Sequence, residues 1–362
     1  MSDALVGPWS DIAIPPGETL ADLLKARGMT QAELARRMER PSQAINEIIR
    51  GSKAIEPATA FQLERVLGTP ARFWLRLEQN YQYNRARRSE LDRLRDEARC
   101  LPDFPYAAIA RLGWVPQTRD PLEKVRNLLQ FFEAGSCEAV KNMYADALHR
   151  VSGTHSPSWQ SLAAWLRGGE RIAAGIEVAP YDPSCLMRSL DTVRRMTRSQ
   201  PDQFCGELRD LLASCGVALV FVPHLPNTYA HGATRWLSPS KALVQLSLRG
   251  RWADIFWFSL FHELGHILRH GKRQMFVELE DGSNTPEEEE ADRFAADALL
   301  PAAAYRVFVR DRSFSEGSIR EFARIAEVHP GIVVGRLQHE GKLGHAQLNG
   351  LRERYVFAPA RS

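Results

Sequence analysis

Apolar positions recur at helical spacing along most of this chain, so the sequence predicts a mainly α-helical protein. In the first quarter, short amphipathic stretches alternate with helix-starting Pro or Thr and helix-ending Gly. Helices are predicted there over 18–27, 30–38, 43–50, 57–68 and 70–88. A densely charged stretch, 85–100, predicts a solvated connecting helix. Beyond it, the same apolar spacing predicts helices over 122–132, 137–148, 157–166, 185–197 and 204–215.

A different pattern begins after residue 216. β-branched and alternating residues predict three strands, over 217–222, 230–236 and 241–249, and an apolar helix over 256–270 follows at once. Later helices are predicted after Thr285-Pro286 and over 321–328 and 330–337. We therefore expect a mainly α fold with a small sheet, divided into a helical domain (1–88), a helical middle region (89–214) and a C-terminal α+β domain (215–362).

The net charge of the whole chain is only +3, but it is unevenly distributed. Residues 25–88 contain thirteen Lys or Arg and six Asp or Glu, an excess of positive charge that suits a nucleic-acid partner. No apolar stretch approaches the length of a membrane span, and no signal peptide is evident. The five cysteines are odd in number and widely spaced, so we expect free thiols in a cytoplasmic protein.

The apolar helix carries the most specific chemistry in the sequence, His262-Glu263-x-x-His266. Residues four apart share one face of a helix, so both histidines can bind one metal ion while Glu263 activates a water molecule. The competing interpretation is a core helix whose histidines form hydrogen bonds with their neighbours. A fully buried glutamate is rare unless it is paired or close to a metal, and this favours the metal site.

A catalytic zinc site needs a third protein ligand and one open position. Glu288 and Asp292 lie four apart on the helix predicted after Thr285-Pro286, so Glu288 can bind the metal while Asp292 accepts a hydrogen bond from a ligand histidine. Glu289 and Glu290 stay open as alternative ligands, but neither has an aspartate four residues later. Tyr229 and His231 are candidate hydrogen-bond donors to the oxyanion of a tetrahedral intermediate.

The second and third predicted helices form a helix-turn-helix pattern, in which the third helix exposes small polar side chains. Ser42, Gln43 and Asn46 are candidates to contact base edges in the major groove. The remaining candidate DNA contacts, chiefly to phosphates, are Gln31, Arg36, Arg37, Arg50 and Lys53. The alternative is a helical bundle that binds a protein through its third helix.

This N-terminal segment resembles the lambda-repressor-like family, and most closely its branch of antitoxins from plasmid-maintenance and host-inhibition modules. The residues that carry the resemblance are 29–35 and 41–51, continued by 55–60 and 70–75. The likeness covers about 18–83 and implies a domain that binds an operator in double-stranded DNA. A dimer on a palindromic site is expected.

The C-terminal segment resembles the ImmA/IrrE metallopeptidases, which have a zincin-like fold. In zincins the strand beside the active helix lines the cleft and pairs with an extended substrate, so the resemblance implies this role for the third predicted strand, 241–249. His262-Glu263-Leu264-Gly265-His266 carries this resemblance, together with Glu288, Ala291, Asp292, Phe294, Ala295 and the tripeptide at 299–301. The resemblance implies a Zn²⁺ ion with His262, His266 and Glu288 as ligands and Glu263 as general base, as in gluzincins. It also implies action on a repressor or an antitoxin.

The leading hypothesis is an antitoxin-type transcriptional regulator that binds DNA and carries a zinc metalloendopeptidase domain acting on a regulatory protein. A second hypothesis is a peptidase that cleaves a partner repressor and uses the helix-turn-helix only for docking. The third is a non-catalytic zinc fold that binds a toxin or repressor. An intact Glu263 favours catalysis over the third hypothesis, because a purely structural site does not use a general base.

Overall fold

The computed structural model of the protein describes residues 14–145, 158–247, 252–272, 274–279, 285–311 and 313–355. The chain divides into two compact units, Met1–Ala98 and Arg99–Ser362, and each is considered by itself. Among the described helices, none is long and apolar enough to cross a lipid bilayer.

The first unit is a bundle of helices that begin and end close to the predicted residues. They are α1 (Pro16–Ala26), α2 (Gln31–Arg37), α3 (Ser42–Ile49), α4 (Pro57–Leu67) and α5 (Ala71–Glu97). Thr30 caps α2, because its hydroxyl accepts a hydrogen bond from the Glu33 amide at 3.1 Å. Gly68, at a φ of 69°, ends α4 in the left-handed conformation.

The apolar faces of these helices meet in one core, with Leu20, Leu34, Ile45, Leu63 and Trp74 at its centre. Helix α5 extends further than the prediction of a helix to residue 88 and a separate connecting segment. No proline or glycine interrupts residues 71–97, so the backbone continues as one helix through both.

The second unit combines helices with one small sheet. Its first half contains a 3₁₀ segment (Ala98–Asp103, which starts at the end of the first unit), α6 (Tyr106–Arg111), α7 (Pro121–Phe132), α8 (Cys137–Met143), α9 (Trp159–Ala174), α10 (Pro183–Met196) and α11 (Pro201–Ser214). Its second half contains β1 (Val217–Val222), β2 (Ala230–Ser238), β3 (Lys241–Ser247), α12 (Ala253–Arg269), β4 (Phe276–Leu279), α13 (Pro286–Leu299), α14 (Ala302–Arg310), α15 (Glu316–Ile325), α16 (Pro330–His339) and a 3₁₀ turn (Asn349–Leu351).

The strand order of the sheet is β1-β3-β2-β4, so β3 lies between two partners. It pairs in parallel with β1 and antiparallel with β2. The prediction that the third strand pairs with a peptide was therefore wrong, because both of its edges already form hydrogen bonds. The strand at the edge beside α12 is β4, a four-residue element too short to show an alternating pattern in the sequence.

Alternate residues of β1 and β3 enter two separate apolar cores. Leu219 and Val244 belong to the core that contains α12, whereas Val220 and Leu243 face the core formed with α9. Two-sided burial explains why β1 is a continuous apolar run and why β3 has apolar residues at both alternating positions, Leu243 and Val244. Helix α12 is thus held between the sheet and helices α13 and α16.

The expectation of free thiols was wrong for four of the five cysteines. Cys100 is bonded to Cys137, and Cys185 to Cys215. The spacing of the cysteines does not show that the fold brings these pairs together. Cys205 is free and half-buried, and burial raises the pKa of its thiol to about 11.

Candidate metal centre and nucleic-acid interface

Helix α12 is buried along nearly its whole length, which follows from its unusually apolar sequence. His262 and His266 are 2% and 1% exposed, and Glu263 is completely buried. Burial of three ionisable side chains on one helix is costly unless each has a partner. The helix therefore requires polar groups from other elements to face it.

Helix α13 supplies the first of these groups. A Cβ atom on Gly265 would lie 3.4 Å from the Cα of Ala291, so these small residues allow the two helices to pack closely. Thr285 caps α13 and Glu288 lies in its first turn, buried against the histidines. Of the three candidate glutamates, Glu289 is exposed and the carboxylate of Glu290 lies 3.4 Å from His270, so Glu288 is the one that faces both histidines.

Three potential ligand atoms converge between α12 and α13. The Nε2 atoms of His262 and His266 are 2.9 Å apart, and Glu288 Oε2 lies 2.9 Å from the first and 3.5 Å from the second. Ligands held about 2.0 Å from a tetrahedral zinc ion would be separated by roughly 3.3 Å, so the spacing fits such an ion. These residues form a possible metal site of two histidines and one carboxylate.

The outer nitrogens of both histidines have partners that orient the rings. Asp292 Oδ1 lies 2.8 Å from His262 Nδ1, and His270 Nδ1 lies 2.9 Å from His266 Nδ1. A proton on His262 Nδ1, donated to Asp292, leaves the lone pair of Nε2 directed at the other two ligand atoms. Electron pairs that converge in this way call for a cation between them, and the donor set therefore fits zinc.

Electrostatics keeps two of the ligands in their metal-binding forms. Burial raises the pKa of Glu288, but hydrogen bonds from His262 and His266 outweigh it and hold the pKa at about 2. Burial lowers the pKa of His266 to about 4, which favours the neutral imidazole that a metal requires. Asp292 and Glu288 outweigh burial at His262 and raise its pKa well above the ordinary value, so a metal would compete with a proton there.

Glu263 sits beside the ligands with one carboxylate oxygen held and one free. Thr234, on β2, donates its hydroxyl hydrogen bond to Oε2, whereas Oε1 is buried and has no hydrogen-bond partner among the described residues. Burial raises the pKa of Glu263 well above its usual value, and the charge of Glu278 raises it further. A raised pKa suits a carboxylate that takes up a proton during a reaction.

Three residues beside Glu263 were missed by sequence reasoning. Gly232 leaves room for the Glu263 carboxyl, since a Cβ atom there would lie 2.5 Å from Oε1. Thr234 lies two residues after Gly232, on the same face of a strand that was predicted. The alternation of side chains along that strand could therefore have indicated Thr234. Glu278 lies on β4, which the sequence did not predict, and offered none.

The proposed oxyanion donors lie at the start of β2. Tyr229 immediately precedes the strand and has a φ of 51°, a left-handed conformation that is unusual for tyrosine. His231 is half-buried and adjacent to Gly232, the residue that packs against Glu263. Their role in donating to an oxyanion stays a prediction.

In the first unit, most of the predicted DNA contacts share one face. Gln31 from α2 and Ser42, Gln43, Asn46 and Arg50 from α3 line one shallow concave surface. Arg36, Arg37 and Lys53 are exposed. Glu47 also lies on this surface, where it accepts a hydrogen bond from Gln43 at 2.9 Å. An exposed polar surface on the second helix of such a pair is the arrangement that reads a major groove.

Two family models match parts of the chain. The model described as helix-turn-helix matches residues 20–74, and the model described as IrrE N-terminal-like domain, a peptidase family, matches residues 255–337. The second match includes α12, α13 and α16 and hence every residue of the possible metal site.

Individual relatives match shorter parts of the chain. Virulence-associated protein I of Dichelobacter nodosus is 37% identical over 70 residues, which are 19% of this chain, and the chain spans 65% of that relative's length. An antidote protein of a plasmid maintenance system from Nostoc punctiforme is 31% identical, with a TM-score of 0.23, over 23% of this chain and 91% of the other. An antidote protein of a HigA family from Coxiella burnetii is 28% identical, with a TM-score of 0.22, over 23% and 92%.

Proposed function

We propose that this chain, which carries a helix-turn-helix domain and an IrrE N-terminal-like domain, is an antitoxin-type DNA-binding regulator whose second domain is a zinc-dependent endopeptidase acting on a regulatory protein. The observation that carries the proposal is the set of three converging ligand atoms beside a buried glutamate with one free oxygen. The first three groups suit a metal, and the fourth suits proton transfer.

A zinc ion held by His262, His266 and Glu288 would supply Lewis-acid polarisation of a peptide carbonyl. Glu263 accepts the proton of the attacking water at Oε1, because Thr234 holds the other oxygen. Its raised pKa lets it keep that proton until the leaving amine takes it. Asp292 holds His262 in the required tautomer, and Tyr229 and His231 are the proposed donors to the oxyanion.

The helix-turn-helix domain directs this activity to an operator. Ser42, Gln43 and Asn46 are the proposed base contacts, and Gln31, Arg50 and Lys53 are proposed to fix the position of the domain on the DNA. A homodimer on a palindromic site places two such surfaces one helical turn apart. The regulated partner is a toxin or a repressor protein.

The test of the catalytic proposal compares wild-type chain with Glu263→Gln, whose side chain has the same shape but cannot accept the proton. New protein N-termini are mapped by mass spectrometry in cells that express either form. We expect N-termini that appear only with the wild-type chain, while both purified proteins hold one zinc per chain. An unchanged set of N-termini with zinc retained would leave a binding module without catalysis.

The test of the DNA proposal is a mobility shift with the promoter of the protein's own operon. Asn46→Ala removes a bidentate side chain from the exposed surface of α3, so we expect affinity for the operator to fall by about tenfold or more. Binding at wild-type strength would overturn the assignment of this base contact.

A further inference from the structure

Strand β4 places a fourth carboxylate beside the metal centre. It pairs antiparallel with β2, with Glu278 opposite Gly232 and Phe276 opposite Thr234. Directly opposed residues point to the same face of a sheet. The Phe276 ring stacks on His266 with a centroid separation of 3.9 Å, and the Cα of Gly232 packs against Glu263. Glu278 therefore faces α12 next to the proposed general base.

The other three carboxylates at this centre already have partners. Glu288 contacts both ligand histidines, Asp292 orients His262, and Thr234 holds one of the two oxygens of Glu263. Glu278 Oε2 is buried and has no hydrogen-bond partner among the described residues. It does not belong to the group of ligand atoms that could share one metal ion. A buried carboxylate oxygen without a partner is costly, and none of the described residues donates a hydrogen bond to Glu278 Oε2, so a bound cation would stabilise it.

We propose that Glu278 binds a positively charged group of the substrate, an ammonium or a guanidinium, close to the bond that is cleaved. This inference rests on the proposed peptidase function. Adjacency to Glu263 places the cation beside the reacting carbonyl. Strand β4 lies at an edge of the sheet as far as the described residues show, so an extended peptide can lie alongside it with one side chain directed at Glu278.

Two sources can supply this cation. A lysine or arginine side chain next to the cleaved bond would make the enzyme selective for basic residues. A free α-amino group would instead direct cleavage to the N-terminus of the substrate. Both bind a carboxylate through charge-assisted hydrogen bonds, and hydroxamate ligands that chelate zinc can distinguish them.

The experiment measures ligand affinity by calorimetry on the full-length, zinc-loaded protein, with no cleavage step. Nα-acetyl-lysine hydroxamate and Nα-acetyl-norleucine hydroxamate differ in the side-chain ammonium group. Norleucine hydroxamate with a free α-amine differs from Nα-acetyl-norleucine hydroxamate in the α-ammonium group. We expect one cationic ligand to bind about tenfold more tightly than Nα-acetyl-norleucine hydroxamate, as one charge-assisted hydrogen bond allows.

Three variants test whether Glu278 causes the preference for a cationic ligand. Glu278→Gln keeps the shape of the side chain and should reduce the ratio of affinities to about one while Nα-acetyl-norleucine hydroxamate binds as before. Glu278→Lys should favour Nα-acetyl-glutamate hydroxamate instead. Glu289→Gln removes an exposed carboxylate on α13 and should keep the wild-type ratio. Zinc content is measured for each variant, so that loss of the metal is not mistaken for loss of the cation site.

The outcomes separate this inference from the proposed function. Hydroxamates that bind without preferring a cation, or a preference that survives Glu278→Gln, would overturn the role of Glu278 and leave the zinc site standing. A protein that holds no zinc, or holds it and binds no hydroxamate, would overturn the proposed function together with this inference.

Discussion

Asp292 acts on the metal centre through one hydrogen bond. Its carboxylate lies 2.8 Å from His262 Nδ1 and its side chain is 53% exposed, so water already competes for it. Asp292→Asn replaces a charged hydrogen-bond acceptor with a neutral amide, whose NH₂ group can also turn towards His262 Nδ1. We expect zinc affinity to fall by about 10- to 100-fold, measured by competition with a chelator of known affinity.

A matched control for this variant lies on the same helix. Asp297→Asn removes an exposed carboxylate whose ion-pair partner is Arg336, at 3.9 Å, and not a ligand histidine. It should leave zinc affinity unchanged. Equal affinities for Asp292→Asn and wild type would show that His262 keeps its orientation without this partner.

Gly232 is required by the space that Glu263 occupies. In Gly232→Ala the new methyl group would lie 2.5 Å from Oε1 and 2.8 Å from Cγ of Glu263, so the carboxyl must move. A displacement of about 1 Å at a reacting group can reduce a rate by roughly 100-fold. We expect cleavage to fall by that factor while zinc content stays at one ion per chain.

The comparison for Gly232→Ala is Gly271→Ala, where an added Cβ atom meets nothing within 4 Å. That variant should cleave normally. If Gly232→Ala retained full activity, the position of Glu263 relative to β2 would not matter for proton transfer.

Local spacing in the sequence predicts some residues of the site, whereas others come together only through tertiary packing. The interval between His262 and His266 fixes their common helix face, and the Glu288–Asp292 interval does the same on α13. Gly232 and Glu278 acquire their roles only when β2 and β4 pair over α12. No interval within the sequence specifies that pairing.

Elements whose ends carry their own signals were predictable. Thr30, Asp182 and Thr285 each cap a helix close to a predicted start. The sheet order was not, because it depends on pairing between strands that are distant in sequence, and β4 is too short to be recognised. Helix α14 (Ala302–Arg310) was not predicted either, although Pro301 precedes it as a helix-starting signal.

The start of α16 depends on an uncommon cap. His329 Nδ1 accepts a hydrogen bond from the Gly331 amide at 3.1 Å, which requires the neutral imidazole. Burial lowers the pKa of His329, and the charge of Arg320 lowers it further against the opposing effect of Glu353. The cap therefore contributes fully above the unfolded pKa of about 6.5 and is lost as the pH falls through the lower folded value.

Urea unfolding at pH 7.5, 6.5 and 5.5 measures this contribution. We expect His329→Ala to lower the free energy of unfolding by about 1 kcal/mol at pH 7.5, as for other caps, and by less at pH 5.5. His329→Asn keeps a hydrogen-bond acceptor that does not titrate. The difference in the free energy of unfolding between His329→Asn and wild type should therefore change with pH. A difference that is constant across the three pH values would rule out titration of this cap.

At the scale of the whole molecule, the two chemistries lie in separate compact units. The candidate DNA contacts lie within 31–53, and the possible metal site lies within 262–288. Unit 1 has its own apolar core, and no residue of the possible metal site belongs to it. Changes confined to one chemistry should therefore leave the other intact.

This separation predicts a double dissociation on the full-length chain. Glu263→Gln should abolish cleavage and keep wild-type affinity for the operator. Asn46→Ala should weaken operator binding and keep both zinc content and hydroxamate affinity. In the same mobility-shift assay, Lys53→Ala removes a proposed phosphate contact, so the slope of log affinity against log salt concentration should fall by about one.

The outcome that contradicts independence is coupling in either direction. A changed operator affinity in Glu263→Gln would show such coupling. If operator DNA changed the affinity for hydroxamates, linkage would require hydroxamates to change the affinity for operator DNA by the same factor. Measuring hydroxamate affinity of the wild-type protein with and without operator DNA therefore tests whether the two sites are coupled. Equal affinities under both conditions mean that each unit performs its chemistry alone. A ratio different from one would give the coupling free energy between DNA binding and the metal centre.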